Sequence, residues 1–367
     1  MNILFLSLGD ISVELSSSGT PYNLYNGLIK EFDNVIAASA DLISRQRWIN
    51  YLASFAPNIS FWRERTYKNT YSFRKQTLNA EKAVKNNPGV DYILQFQTMF
   101  SPTDKLHELN TPLGIYTDYT IAMAKREYPL WAPFKNESEY NWWYQNEKLL
   151  FKHAKHVFTF SNPTRRSIID DYGIDKDKVF CVRAGTPFIP IVEKTNRRET
   201  RNFLLVGRDY KRKGVEFLID AFSQLKSKYP MIQLCIVGCK ISAELPGVTN
   251  IPLETDRNRM RELFLASDVF VLPSIAEPFG YVYIEAMSSG LPCIGTNTGG
   301  VPDIIVNDET GFIVPVGDVN SLRDKMEFLI MNPDIANRFG VAGLCRFKQN
   351  YQWDSVVKSI ADTIRSS

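Results

Sequence analysis

The sequence is poor in histidine and cysteine, the residues that most often build metal sites. Among 367 residues there are 3 histidines and 5 cysteines, and no cysteine pair has the partners that a zinc site requires. Cys235 and Cys239 are close together but lack such partners, so we expect them to pack as small apolar residues. An odd number of cysteines without paired metal-ligand spacing suits a reducing compartment, and we expect a cytoplasmic protein.

Long hydrophobic runs and a strong net charge are also absent. No window approaches the roughly 18 to 20 apolar residues that span a bilayer. The opening MNILFLSLGD lacks the basic leader of a signal peptide, and we expect it to form a buried strand. The formal net charge of +3 is too small to indicate a nucleic-acid partner.

Short apolar runs that alternate with helical patterns predict an α/β fold with buried parallel strands. We interpret the stretch between Arg183 and Arg201 as a linker between two series of such runs. The first series is Asn2–Ser7, Asn34–Ala38, Tyr92–Phe96, Leu113–Tyr116 and Val157–Phe160, and the second is Asn202–Val206, Gln233–Val237, Ile251–Leu253, Val269–Leu272, Pro292–Gly295 and Gly311–Val314. We predict doubly wound, Rossmann-like domains over residues 1–185 and 186–350, followed by a helix over residues 351–367 that returns to the first domain. The two domains would face one another across a cleft, with ligands beyond the carboxyl ends of the strands.

A basic loop bounded by glycines, GRDYKRKG from Gly207 to Gly214, follows the apolar run FLLV and precedes a helical pattern. In this context backbone N–H groups and the helix N-terminus face an anion. Arg208 and Lys213 would add charge-assisted bonds to phosphate oxygens. A solvated basic turn is the alternative interpretation.

Two glutamates, Glu277 and Glu285, lie in the otherwise uncharged stretch AEPFGYVYIEAMSSGLPCIG. Burying an ionised carboxylate without partners is costly, so each requires a partner. Glu277 follows an apolar strand, at the end where ligands bind, and Glu285 falls on the second turn of the next predicted helix. Carboxylates only accept hydrogen bonds, so paired sugar hydroxyls are fitting donors. Pairing of Glu285 with a basic residue of another element is the alternative.

The segment EPFGYVYIE, an E-x7-E pattern, resembles the retaining glycosyltransferases of family 4 (group 1 glycosyltransferases), which have the GT-B fold. The matching motifs cover about residues 202–318, nearly all of the second domain, in the family's order and spacing. The further matches are Gly207-Arg208 with Lys213-Gly214, Pro273-Ser274, Gly290-Leu291-Pro292, Gly299-Gly300-Val301-Pro302 and Thr310-Gly311-Phe312.

The resemblance implies a nucleotide diphosphate sugar as donor substrate. Arg208 and Lys213 would hold the diphosphate and stabilise the charge that develops on it as the glycosyl bond breaks. The family usually has a glycine-rich loop after its first strand, and here SSSGTPYNL offers only Gly19, which would approach the donor phosphates.

The resemblance also assigns residues to the two sugar rings of the donor, the ribose and the transferred sugar. Glu285 would bind the ribose hydroxyls, whereas Glu277 and the backbone of Phe279 and Gly280 would hold the transferred sugar. In LGIYTDYT, Asp118 stands where the family often carries a histidine close to that sugar, and a structural loop cap is its alternative role.

The implied reaction is transfer to an unidentified acceptor with retention at the anomeric carbon, and it requires no cofactor and no metal ion. The positive charge of Arg208 and Lys213 would replace a cation. The one literal D-x-D, Asp175 to Asp177, is expected at the surface. In a further stretch that resembles the family, Glu147 is expected to precede a helix.

Basic residues interleave with tryptophan, tyrosine and phenylalanine from Arg45 to Lys75. Such a stretch would contact an anionic membrane surface or hold a lipid-linked or aromatic acceptor. The alternative is a set of helices packed through their aromatic residues, with the arginines in solvent.

Three other functions compete with glycosyl transfer. A non-catalytic nucleotide-sugar-binding subunit would keep the donor residues, and an epimerase would convert the donor without an acceptor. A dinucleotide oxidoreductase is disfavoured, because no G-x-G-x-x-G follows the first strand of either predicted domain.

Overall fold

The protein contains two parallel six-stranded sheets, each flanked by helices. The computed structural model describes residues 1–9, 11, 19–186, 199–241 and 244–366. The sheets belong to two compact units, one of Met1–Pro187 with Trp353–Ser367 and one of Phe188–Gln352. Most of the stretch interpreted as a linker, residues 187–198, lies outside the described residues.

The first sheet has the strand order β2-β1-β3-β4-β5-β6. Its central runs, such as YILQF in β3, are buried along their whole length, because helices cover both faces of a parallel sheet. The elements are β1 (Asn2–Ser7), α1 (Thr20–Glu31), β2 (Asn34–Ser39), α2 (Ser44–Ala53), α3 (Ile59–Tyr67), α4 (Thr70–Asn86), β3 (Tyr92–Phe96), β4 (Leu113–Thr117), α5 (Ile121–Glu127), α6 (Glu137–His153), β5 (His156–Thr159), α7 (Asn162–Asp170) and β6 (Val179–Cys181).

The second sheet has the order β12-β11-β10-β7-β8-β9, so the direction of strand addition reverses between β7 and β10. Its elements are β7 (Asn202–Val206), α8 (Val215–Lys228), β8 (Gln233–Val237), β9 (Val248–Ile251), α9 (Arg257–Ala266), β10 (Val269–Leu272), α10 (Tyr281–Ser288), β11 (Cys293–Thr296), α11 (Val301–Ile304), β12 (Gly311–Val314), α12 (Val319–Met331) and α13 (Pro333–Asn350).

The last helix, α14 (Trp353–Arg365), packs on α1 of the first unit. Its apolar residues are buried, and the side chain of Val357 lies against Gly27, where an added Cβ would be 2.5 Å away. Ion pairs flank this contact, with Lys30 Nζ 3.1 Å from Asp354 and Arg365 3.1 Å from Glu31. No helix among the described residues has the length and hydropathy required to cross a membrane.

Predicted and observed strands agree closely, with one clear difference. Most apolar runs became strands within one residue of their predicted ends, but the run predicted as Ile251–Leu253 forms β9 at Val248–Ile251. The difference arises because β9 is an edge strand aligned by pairing with β8, where Leu234 faces Val248. Apolar content alone cannot identify that register.

A buried histidine in β5 makes the stability of the first unit depend on pH. His156 Nδ1 lies 2.8 Å from the hydroxyl of Tyr92. Burial lowers the pKa of His156 to about 4, with a smaller contribution from the charge of Lys155. The unfolded chain would bind a proton here below about pH 6.5. The free energy of unfolding should therefore fall as the pH drops from about 6.5 towards about 4.

Urea unfolding followed by tryptophan fluorescence measures this effect, because all 6 tryptophans belong to the first unit. His156→Gln should reduce the loss of stability between pH 6.5 and pH 5. His107→Gln is the matched control, because that side chain is 81% exposed. Equal pH slopes in both variants would show that His156 is not responsible.

Candidate functional site

The candidate site lies where the strand order of the second sheet reverses. At this point β7 and β10 are hydrogen-bonded neighbours, and the loops that leave their carboxyl ends are residues 207–214 and 273–280. Connections diverge to opposite faces of the sheet at such a point and leave a crevice that binds ligands. The fold therefore brings the basic loop and the Glu277 loop side by side.

The basic loop is a compact turn organised by Asp209. Its carbonyl oxygen accepts a hydrogen bond from the backbone N–H of Lys213 at 2.9 Å, and its Oδ1 accepts one from that of Arg212 at 3.1 Å. Gly214 then adopts φ 63° and caps α8. A Cβ at Gly214 would lie 2.0 Å from the carbonyl oxygen of Pro273, so only glycine allows the two loops to approach this closely.

A buried ion pair joins the two loops. The carboxylate of Glu277 accepts a hydrogen bond from Lys213 Nζ, and both residues are 7% exposed. Ser274 Oγ lies 3.3 Å and Arg212 Nη1 3.7 Å from Glu277 Oε2. Glu277 is thus the common partner of two cations and a hydroxyl. Arg208, by contrast, is exposed, as the alternative of a solvated turn expected.

Arg212 belongs to this arrangement, although sequence reasoning did not single it out. Its Nη1 also donates to the carbonyl oxygen of Ala276 at 3.0 Å, which fixes the backbone directly before Glu277. The available signal was the position of Arg212 one residue before Lys213 in a basic run. The run itself does not indicate which of its cations turn inwards.

The backbone around Glu277 is held by a neighbouring glycine pair. Gly299 has φ 49°, and a Cβ there would lie 1.7 Å from the carbonyl oxygen of Glu277. The N–H of Gly300 lies 3.3 Å from the same oxygen. Phe279 is buried beyond this contact, and Gly280 precedes the first residue of α10. The backbone of Phe279 and Gly280 therefore has a fixed position.

Glu285 projects from α10, and α10 is anchored on β10. The buried hydroxyl of Tyr283 donates to the carbonyl oxygen of Leu272, and burial raises the pKa of Tyr283 well above its usual value. Glu285 is half-buried, and its carbonyl oxygen accepts hydrogen bonds from the hydroxyls of Ser288 at 2.7 Å and Ser289 at 3.2 Å. Glu285 thus lies on the helix that directly follows the Glu277 loop.

Two of the predicted site residues, Gly19 and Asp118, lie in the first unit. Gly19 has φ 75° and precedes α1, and its carbonyl oxygen accepts a hydrogen bond from Asn23 Nδ2 at 2.7 Å. Asp118 is half-buried after β4, and its carbonyl oxygen accepts one from Thr164 Oγ1 at 2.6 Å. Both therefore lie in connections that leave strands of the first sheet, and their functional roles stay predictions.

Glu147 does not precede a helix as predicted, because it lies within α6. It is buried and accepts hydrogen bonds from Thr98 Oγ1 at 2.7 Å, from the backbone N–H of Ile121 at 3.0 Å and from the hydroxyl of Tyr172. Burial raises the pKa of Glu147, and these hydrogen bonds act in the opposite direction. Through these hydrogen bonds Glu147 links α5 and α6 to the segment after β3. Its role is therefore structural.

No group of three or more histidine, cysteine, aspartate or glutamate side chains suited to a metal ion occurs within the described ranges. The D-x-D sequence lies in an exposed turn, where Asp175 Oδ1 accepts a hydrogen bond from the backbone N–H of Asp177 at 3.0 Å. The cationic groups described at the site are instead those of Arg208, Arg212 and Lys213.

Replacing Glu277 by glutamine tests the buried ion pair. Glu277→Gln preserves the shape of the side chain but leaves Lys213 buried without its counter-charge, so the free energy of unfolding should fall by about 3–5 kcal/mol. Urea unfolding of this variant is monitored by circular dichroism rather than by tryptophan fluorescence, because the second unit contains no tryptophan.

Glu262→Gln is the control for this experiment. It removes an exposed pair, in which Glu262 lies 2.8 Å from Arg259, and should leave stability almost unchanged. Equal effects of the two substitutions would contradict the structural importance of the Glu277 pair.

The model of the family "Glycosyl transferases group 1" matches residues 189–344. The chain is 31% identical over 158 residues to the sulfoquinovosyl transferase SQD2 of Arabidopsis thaliana, covering 40% of this chain and 30% of that protein. It is 32% identical over 230 residues to the capsular polysaccharide biosynthesis glycosyltransferase CapM of Staphylococcus aureus, covering 57% of this chain and 60% of that protein. The chain thus spans less than two thirds of these relatives.

A likeness of fold extends over the whole chain. The crystal structure of Anabaena Alr3699/HepE in complex with UDP superimposes with a TM-score of 0.71 at 16% identity, covering 100% of both chains. The same protein has been solved in complex with UDP-glucose. The chain therefore has the two-domain α/β fold of the GT-B class, and residues 189–344, most of its second unit, match the family model of the group 1 glycosyl transferases.

Proposed function

We propose that the protein transfers a glycosyl group from a nucleotide diphosphate sugar to an acceptor, with retention at the anomeric carbon. The observation that carries the proposal is the buried Lys213–Glu277 pair at the reversal point of the second sheet. This pair lies within the segment that matches the group 1 glycosyl transferases. The solved neighbour with UDP or UDP-glucose supports a nucleotide sugar as donor.

In this proposal the cations of the basic loop hold the donor diphosphate. A lysine ammonium group has three N–H donors, and the contact with Glu277 uses one of them. The remaining donors of Lys213 serve phosphate oxygens, and the exposed Arg208 adds a planar guanidinium group that suits phosphate. Their positive charge stabilises the diphosphate as it leaves, so the proposed reaction requires no metal ion.

The two glutamates contact the two sugar rings of the donor. Glu285 accepts hydrogen bonds from the ribose hydroxyls, and Glu277 accepts them from the transferred sugar. The fixed backbone of Phe279 and Gly280 adds further contacts to that sugar. Glu277 also orients Lys213, which places the sugar contact and the phosphate contact on one ion pair.

The proposed bond changes occur on one face of the sugar. The bond between the anomeric carbon and the leaving phosphate oxygen breaks, and the acceptor oxygen forms its bond on the same face. The leaving phosphate takes the acceptor proton, so no protein carboxylate forms a covalent intermediate.

The proposal assigns Gly19 to the donor phosphates, Asp118 to the neighbourhood of the transferred sugar and the first unit to the acceptor. All five cysteines are free thiols. This supports a reducing compartment such as the cytoplasm as the site of the reaction.

Thermal unfolding with a panel of UDP, GDP, ADP and their sugars tests the donor site. One nucleotide family should raise the midpoint of unfolding, because a ligand at 100 times its dissociation constant stabilises the folded state by about 2.7 kcal/mol. The shift should persist in EDTA and be lost in Arg208→Ala. Lys211→Ala, which removes another exposed cation of the same loop, is the matched control and should keep it.

A shift that requires magnesium would contradict the metal-independent site. The absence of any shift would contradict nucleotide-sugar binding altogether. Conversion of the bound donor without an acceptor, seen by product analysis, would instead indicate an epimerase.

Proton NMR of the initial product tests the stereochemistry. With an α-linked donor of gluco or galacto configuration, the anomeric proton of the transferred sugar in the glycoside product should show the small coupling constant of an α linkage. A β-configured initial product would contradict retention, even if donor binding were established.

A further inference from the structure

Helix α2 of the first unit turns its apolar face to solvent. Trp48, Ile49 and Leu52 lie on one stripe of the helix together with Arg45, at the spacing i, i+3, i+4 and i+7. Trp48 is 74% exposed and Leu52 79% exposed. An amphipathic helix on a globular unit normally buries this stripe. In α2 the stripe faces solvent instead, so the orientation of the helix about its axis is the reverse of the usual one.

Polar groups hold the inner side of α2 instead. Asn50 is 4% exposed, and its Nδ2 donates to the carbonyl oxygen of Thr66 at 2.7 Å. Its Oδ1 accepts a hydrogen bond from Asn69 Nδ2 at 2.9 Å. In the following helix, buried Arg65 pairs with Glu139 at 2.9 Å. Specific polar contacts therefore position α2 and α3, and many of their apolar side chains remain exposed to solvent.

Exposed apolar side chains are concentrated in this segment, and we call them the α2–α3 patch. It contains 8 of the 18 large hydrophobic side chains that are exposed in the described part of the chain, within a stretch of 25 residues. Exposed apolar residues are ordinarily scattered, and a dense group marks an interaction site. Its members are Ile43, Trp48, Ile49, Tyr51, Leu52, Phe55, Ile59 and Tyr67.

Side-chain contacts of Trp62 link α3 to the end of α2 and to the connection between the two helices. Trp62 Nε1 donates to the carbonyl oxygen of Tyr51 at 3.1 Å. The ring of Trp62 meets that of Phe55 edge-on with centroids 5.6 Å apart. The alternative of helices packed through their aromatic residues thus applies to Trp62, but Trp48 and Phe55 remain exposed.

The charge around the α2–α3 patch is mainly positive. Arg45, Arg47 and Arg63 are exposed, and Glu64 is the only acidic residue between Ile43 and Tyr67. Arg47 pairs with Asp41 at 3.0 Å and Arg63 lies 3.6 Å from Glu64, so four arginines of this stretch face one glutamate within it and one aspartate beside it. Tryptophan, tyrosine and apolar side chains bordered by arginine suit the boundary between lipid headgroups and acyl chains. Arginine adds attraction to anionic headgroups.

We propose that the α2–α3 patch docks the protein on an anionic lipid bilayer, with Trp48, Leu52 and Phe55 inserted at the headgroup level. The arginines contact lipid phosphates around them. This inference is independent of the proposed glycosyl transfer, because binding to lipid requires no donor or acceptor.

Vesicle flotation tests the proposal with the whole 367-residue chain. It should float with vesicles of phosphatidylglycerol and phosphatidylcholine, much less with phosphatidylcholine alone, and less at high salt. The triple variant Trp48→Ser/Leu52→Ser/Phe55→Ser should bind at least about tenfold more weakly, because inserted apolar area is lost. Arg45→Gln and Arg63→Gln should each weaken binding to anionic vesicles about fivefold.

The matched control is Leu149→Ser, which changes an exposed leucine on α6, outside the patch, and should bind like the wild type. Circular dichroism verifies that every variant is folded. Failure of the wild type to float with anionic vesicles would overturn the proposal, as would equal binding by the triple variant. A dimer in analytical ultracentrifugation that only the triple variant abolishes would also overturn it, because the patch would then bind a second copy of the chain.

Discussion

The ion pair between Lys213 and Glu277 is the interaction on which the organisation of the second unit's site depends. Two opposite charges that leave water together must compensate one another, because a single buried charge is strongly unfavourable. The pair therefore requires both loops to be in place, and both are supplied by the neighbouring strands β7 and β10. The close approach of the loops in turn explains the glycine at position 214, where a side chain would overlap the carbonyl oxygen of Pro273.

The same constraint extends from the pair to the helix that follows. Gly299 allows the backbone of Glu277 to lie against the next loop, and Gly280 ends that loop where α10 begins. Since Tyr283 fixes α10 on β10, the position of Glu285 follows from the position of Glu277. The carboxylates of Glu277 and Glu285 thus come from a single strand, loop and helix, and the neighbouring loop supplies the cations.

Much of this was predictable from sequence, for identifiable physical reasons. Buried parallel strands are short apolar runs, and Lys213 and Glu277 lie in the loops that follow two such runs, so the pattern indicated which end of the sheet they occupy. Contacts between distant segments were not predictable. The inward turn of Arg212, the place of Glu147 inside α6 and the register of β9 all depend on neighbours far away in the chain. The inverted orientation of α2 likewise depends on hydrogen bonds from Asn50, which its apolar pattern does not reveal.

The central claim is that Lys213 and Glu277 act as one binding unit for a nucleotide sugar. Calorimetric titration of the nucleotide sugar into the wild type, Lys213→Met, Glu277→Gln and the double variant measures this directly as a coupling free energy. The account predicts that each single substitution weakens binding at least about tenfold, while the double variant binds no more weakly than the weaker single variant. Losses that multiply in the double variant, or single variants that bind like the wild type, would contradict it.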